Sequence, residues 1–136
     1  MDDKDLEGLF ERLSRSAFRS KFRLNFDDRL YARLKGREVL KEHAHKLLEN
    51  RIGQAYPLND GKQTPVKGHP VFTAQHATGT CCRSCLLKWH HIEKGRELTA
   101  EELDWLTEVI LEWIRRDLEK PEPRRRLKKG ESGFLF

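Results

Sequence analysis

The chain has 136 residues, a formal net charge of +5, 36% charged residues and a mean hydropathy of −0.79. That length suits one domain with a modest core and leaves no room for a second catalytic domain. No stretch approaches the roughly 20 apolar residues that cross a bilayer, and the acidic opening Met1-Asp2-Asp3 lacks the basic start and apolar run of a secretory signal. The expectation is a cytoplasmic protein with no membrane partner.

The charge is unevenly divided. Residues 6–58 and 59–96 are basic, residues 97–119 are strongly acidic, and residues 120–136 are basic again. An acidic late helix can lie against the basic segments, where each exposed pair contributes about 0–1 kcal/mol. An uncovered basic face would instead attract nucleic acid or another phosphate-bearing ligand.

In chain order, Leu6, Leu9, Phe10, Leu13 and Ala17 recur at helical spacing and predict an amphipathic helix over residues 3–18. Asp27 or Asp28 can cap a second helix carrying Leu30, Tyr31 and Leu34. Gly36 interrupts that pattern, which resumes at Val39, Leu40, Ala44, Leu47 and Leu48 and stops near Gly53. His43 and His45, two positions apart, point to different sides of this helix and read as surface or boundary residues. From about 53 to 79 the periodicity disappears. Asn59-Asp60-Gly61 signals a turn, Pro57, Pro65, Gly68 and Pro70 oppose regular helix, and Val71–Ala74 reads at most as a short extended piece. A loop of that length in a compact domain is uncommon and often functional.

Thr78 or Thr80 can cap a helix over residues 81–91. Thr99 and Glu102 then form a capping box, followed by an apolar stripe of Leu103, Leu106, Ile110, Trp113, Ile114 and Leu118. Trp105 and Trp113 read as core or boundary residues. Proline at 121 and 123 ends that helix, and residues 120–136, with Arg124-Arg125-Arg126 and Lys128-Lys129, read as a basic flexible tail. The fold class expected is a mainly α, small single domain over residues 1–119.

All three cysteines (Cys81, Cys82, Cys85) and four of six histidines (His69, His76, His90, His91) fall between positions 69 and 91. Three thiols so close together are not a disulfide framework; in a reducing compartment they indicate metal ligation or thiol chemistry. Cys82, Cys85 and His90 match the opening of a zinc-knuckle spacing, but on an unbroken helix His90 points about 140° away from Cys85. A loop folding back over the helix start would instead bring His76 and His69 to Cys82 and Cys85 as the ligands of a tetrahedral zinc, with Cys81 and His90 as substitutes. The alternative is thiol catalysis: a cysteine in the first turn of a helix has its pKa lowered, and His76 could act as base to Cys81 or Cys82. The same helix start could hold an anion with Lys62, Lys67 and Arg83. A nucleobase-deaminase reading fails because His76-Ala77-Thr78 lacks the glutamate of His-x-Glu, and three cysteines fall short of the usual four for an iron–sulfur cluster.

The run Asn59-Asp-Gly-Lys-Gln-Thr-Pro65, Gly68-His-Pro-Val-Phe72, Ala74-Gln-His-Ala-Thr78, Thr80-Cys-Cys-Arg83, Cys85 and Lys88-Trp-His90 resembles a family of short bacterial and archaeal proteins known as a domain of unknown function. The resemblance extends from about Leu9 to Trp113. It implies where the site lies and no particular activity. Three readings therefore stand: a zinc-binding protein, a thiol- or metal-dependent enzyme acting on a phosphorylated or nucleic-acid substrate, and a non-enzymatic nucleic-acid-binding module.

Overall fold

The structure is a computed structural model and describes residues 5–121. These residues form a small helical domain of six helices without strands: α1 (Leu6–Ser14), α2 (Ala17–Ser20), α3 (Phe26–Ile52), α4 (Pro70–Thr78), α5 (Arg83–His90) and α6 (Ala100–Glu119). None of them is long and apolar enough to cross a membrane. The basic segment Arg124–Lys129 lies outside the described residues.

α3 and α6 form the frame, with α4 packed against both. Leu40, Ala44, Leu48 and Ile52 of α3 meet Leu103, Leu106, Ile110 and Ile114 of α6, and Val71, Ala74 and Ala77 of α4 complete the core with Leu86 of α5. A satellite cluster of Leu9, Leu13 and Val109 seats α1 on α6. Asn25, rather than Asp27 or Asp28, caps α3 through its side chain, which accepts from the Asp28 amide at 2.7 Å. The capping box of α6 forms as its sequence requires: Thr99 Oγ1 accepts from the Glu102 amide at 3.0 Å, and Glu102 accepts from the Thr99 amide at 2.9 Å.

α3 is two helical arms joined at Gly36, whose φ of 82° and ψ of 169° belong to a region that only glycine enters cheaply. The end of α6 is tied to α3 and the segment before it by a buried carboxylate. Asp117 accepts from Arg23 Nε at 2.6 Å and the Leu24 amide at 3.0 Å, with Arg29 Nη1 3.6 Å away.

The irregular stretch is shorter than the sequence suggests. It ends at His69, and Val71–Ala74 is helical rather than extended. Pro70 does not oppose this helix because it occupies the first turn, where a missing N–H is harmless and the fixed φ is already helical. His69 caps it by accepting from the Val71 amide at 3.0 Å, and Gly79 closes it in the left-handed conformation. The next helix starts at Arg83, not Cys81, and neither Thr78 nor Thr80 caps it. Both hydroxyls are buried, 3.0 Å from each other, and Thr78 donates to the Ala74 carbonyl.

The hinge and the buried carboxylate each lead to a stability prediction. Gly36→Ala should lower unfolding free energy by about 1–3 kcal/mol through backbone strain alone, since open space surrounds the added methyl. Asp117→Ala, which leaves Arg29 without its buried carboxylate, should cost about 3–5 kcal/mol. Urea denaturation of each variant measures both; a loss under about 1 kcal/mol for Asp117→Ala would show that the carboxylate does not hold the ends together.

Candidate metal centre

Three sulfurs meet where the irregular stretch crosses the start of α5. Cys82 is the N-cap residue of α5, extended at φ −160° and ψ 169°, and makes no side-chain cap bond, so its thiol is not used by the helix. Cys81 precedes it and Cys85 lies in the first turn. The three Sγ atoms all lie within 4.8 Å of one another, and those of Cys81 and Cys85 are 3.5 Å apart. Cys81 and Cys82 are buried, whereas Cys85 is half-buried and gives the cluster its access to solvent.

The turn Asn59-Asp60-Gly61 holds this arrangement. Asn59 and Gly61 take positive φ values of 55° and 100°, and Asp60 is thereby turned towards α5. Its carboxylate accepts from the Arg83 amide at 3.0 Å and from Gln63 Nε2 at 2.9 Å, with Ser84 Oγ at 3.4 Å and Lys94 Nζ at 3.9 Å. Burial alone would raise the Asp60 pKa, but the bonds from Gln63 and the Arg83 amide, with Lys94 nearby, hold it below the usual range. Asp60 thus caps α5 from 23 positions away. Thr64 Oγ1 fastens the other side by donating to the Cys81 carbonyl at 2.7 Å.

Arg19 of α2 supplies the nearest cation. Its Nη2 lies 3.1 Å from Cys85 Sγ, and its Nη1 lies 3.9 Å from Cys81 Sγ while donating to the His76 carbonyl. Hydrogen bonds from Cys81 and Cys82, then Arg19, hold the Cys85 pKa far below that of a free thiol. The complementary effect falls on Cys81, raised by its contacts with Cys82 and Cys85 and by burial. For Cys82 the bond with Cys81 lowers the pKa, but the contact with Cys85 and burial outweigh it. Cys85 is therefore the sulfur that carries negative charge first, with Cys81 as its hydrogen-bond donor.

The histidines singled out by the sequence lie elsewhere. His76 Nε2 is 3.1 Å from the carbonyls of both Thr64 and Pro65, so that nitrogen carries the proton, and the ring stacks on Phe22. His69 faces His43, with Nε2 3.2 Å from His43 Nδ1, beside the rings of Tyr31 and Phe72. His90 donates from Nε2 to the Thr78 carbonyl at 2.9 Å. None of the three joins the group of sulfurs.

Arg83 is buried, and its guanidinium donates to the carbonyls of Gln54 at 2.7 Å, Arg96 at 2.9 Å and Glu93. These contacts, with Asp60 on the helix start, commit both groups to the chain itself and displace them from an anion site. Lys62 and Lys67 are exposed on the loop. Arg19, Asp60 and His43 are the residues that sequence reasoning missed. The first two act across 66 and 23 positions, which no local pattern encodes. The Asn-Asp-Gly turn is visible in the sequence, but not what its aspartate reaches.

Burial, together with the His43 charge for His69 and Arg12 for His90, holds both histidines neutral, with pKa values of about 4 against 6.5 when unfolded. Below pH 6.5 the unfolded chain takes up these protons first. The stability they support is thus full above about pH 6.5 and lost as the pH falls towards about 4, on the order of 2 kcal/mol each after allowance for partial solvent screening. His90→Gln, which keeps a donor for Thr78 but cannot titrate, should flatten part of the fall in urea midpoint between about pH 7 and pH 4.5. An unaltered slope would remove His90 from this account.

No solved structure matches the chain. A family model described as a domain of unknown function, DUF4186, matches residues 7–115, which span α1 and most of α6. The chain belongs to the DUF4186 family.

Proposed function

We propose that this protein binds zinc through Cys81, Cys82 and Cys85. The observation that carries the reading is the gathering of three sulfurs within 4.8 Å of one another, with one Sγ pair at 3.5 Å. A zinc ion with Zn–S bonds of about 2.3 Å in tetrahedral geometry needs its sulfurs roughly 3.8 Å apart, so shifts of at most about 1 Å complete the set. The donor chemistry also fits. Cys85 already favours its thiolate through Cys81, Cys82 and Arg19, and the metal would supply the charge that lets the other two give up their protons. His69 and His76, expected as partners of the thiols, each serve another part of the fold, so the ligand set narrows to sulfur. Cys81 moves from substitute to ligand.

A second reading, thiol catalysis, is favoured by the contact between Arg19 and Cys85, which provides a stabilised thiolate at the half-buried edge of the cluster. The carbonyls of Thr64 and Pro65 hold His76 Nε2 as a donor, which leaves Nδ1 as the nitrogen that could accept a proton.

Protein purified without chelator should contain about one zinc per chain by elemental analysis. Cys82→Ser should lower the zinc content at least about tenfold while leaving the far-UV circular dichroism in place. The sulfur of Cys82 takes no part in capping α5, so its removal tests ligation rather than folding. Metal-free protein in which Cys85 alone reacts rapidly with iodoacetamide, and which takes up no zinc from a micromolar solution, would replace this reading with the thiol one.

A further inference from the structure

The three sulfurs leave one position of a tetrahedral ion without a ligand, and any assignment of that position rests on the zinc reading just given. All six histidines and all three cysteines lie among the described residues. Each histidine has another setting: His43 and His69 face one another, His76 and His90 are bound to carbonyls, His45 Nε2 lies 3.7 Å from Asp104, and His91 is the exposed left-handed residue that closes α5. Among the described residues, the Cys, His, Asp and Glu donor atoms gathered at this point are those of the three cysteines. Outside the described residues the chain offers carboxylates but no thiol or imidazole, and hard oxygen donors suit a thiolate-bound ion poorly.

Two features indicate what fills the remaining position. The first is access. Cys81 and Cys82 are sealed while Cys85 is half-buried, so an external group arrives beside Cys85. The second is charge. Three thiolates on a divalent ion leave a net −1, and a fourth anionic ligand would leave −2. The Arg19 guanidinium, 3.1 Å from Cys85 Sγ, offsets one of those charges. It stacks 4.9 Å over Phe18, a ring about half exposed at 49%, which gives the approach an apolar lip.

The geometry points to an exchangeable fourth ligand from outside the chain: the thiolate of a small molecule, bound to the trithiolate ion beside Cys85, where Arg19 offsets one of the two negative charges that result. A zinc site with three protein ligands and one open position is of the kind that works on a bound molecule, whereas closed four-ligand sites hold structure. On binding, the incoming thiol would release its proton to water and its sulfur would take the place of a solvent ligand. No electrons are transferred.

Cobalt(II) tests this because its visible bands report the number and kind of its ligands. The full chain, loaded with one cobalt per molecule, should change its visible bands when 2-mercaptoethanol is titrated in, saturably and at one equivalent. Inorganic phosphate and acetate should leave the bands unchanged. Arg19→Gln, supplied with enough cobalt to fill its site, should bind 2-mercaptoethanol about tenfold more weakly than the unaltered chain, and Arg19→Lys should recover most of that affinity. Failure to load any cobalt would defeat the zinc reading itself. Cobalt that loads but ignores 2-mercaptoethanol, or that responds equally to phosphate, would defeat the exchangeable thiolate alone. Undiminished thiol binding in a folded Arg19→Gln variant would overturn the role given to Arg19.

Discussion

One buried guanidinium sets the shape of the site. Arg83 is 1% exposed, and it is held by carbonyls from just beyond the end of α3 and from the segment between α5 and α6. A guanidinium offers five donors in a plane, and here they gather chain ends that would otherwise leave buried carbonyls unsatisfied. Among the described residues its Nε has no partner, so the group is not perfectly served, and burial lowers its pKa. Because Arg83 is also the first residue of α5, fixing its side chain fixes the direction from which the helix begins. Cys82 and Cys85 flank it, and their sulfurs are aimed by that constraint.

The turn at Asn59-Asp60-Gly61 works on the same helix from the other side. An N-cap residue normally satisfies the first amides of its own helix, but the Cys82 thiol does not do this. Asp60 performs the task at a distance, and its negative charge sits at the positive end of the helix. This has an electrostatic consequence for the sulfurs. The helix end that could have stabilised a thiolate is already neutralised by a carboxylate, so stabilisation of Cys85 falls to its neighbouring thiols and Arg19. The loop therefore assembles the cluster and at the same time cancels the helix end as a source of activation.

How much of this is legible in the sequence depends on whether the determining contact is local. The capping box at Thr99 and Glu102, the stripe along α6 and the break at Gly36 are all written within a few residues, and each matches the structure. The helix over Pro70–Thr78 carries local signals too, but they read two ways: Pro70 ends a helix from within and begins one from its first turn, and Gly79 marks where it stops. The closeness of Cys81, Cys82 and Cys85 in sequence marks the group, while the buried Arg83 and the Asp60 turn aim their sulfurs. The positions of His69 and His76 are not marked in this way. His69 is drawn to His43 by the packing of α4 against α3, and His76 is held by the carbonyls of a loop whose path no pattern predicts. Clustering in sequence locates the segment, while only the fold says which side chains turn inward.

The two chemical readings share one origin, and their difference is a matter of protons. Three thiols this close cannot ionise independently, since each negative sulfur opposes the next. Without an ion, the arrangement settles on one anionic sulfur, Cys85, with Cys81 protonated and donating to it, which is the state a nucleophile needs. A divalent cation at the same point would reverse the balance: the repulsion between thiolates would become attraction to a common charge, and Cys81 and Cys82 would give up their protons. Binding must therefore release protons and weaken as the pH falls. Arg19 favours both states. Beside a lone thiolate it completes a neutral pair, and beside a centre of one divalent ion and three thiolates it would balance the residual −1 that the ion alone does not cancel. Hydrogen bonds from neighbouring thiols would favour a nucleophilic Cys85 as well, but one such donor and Arg19 suffice for that, whereas a single metal ion draws on all three sulfurs. The presence of all three, with Cys82 unused by its helix, fits metal binding better than nucleophilic catalysis.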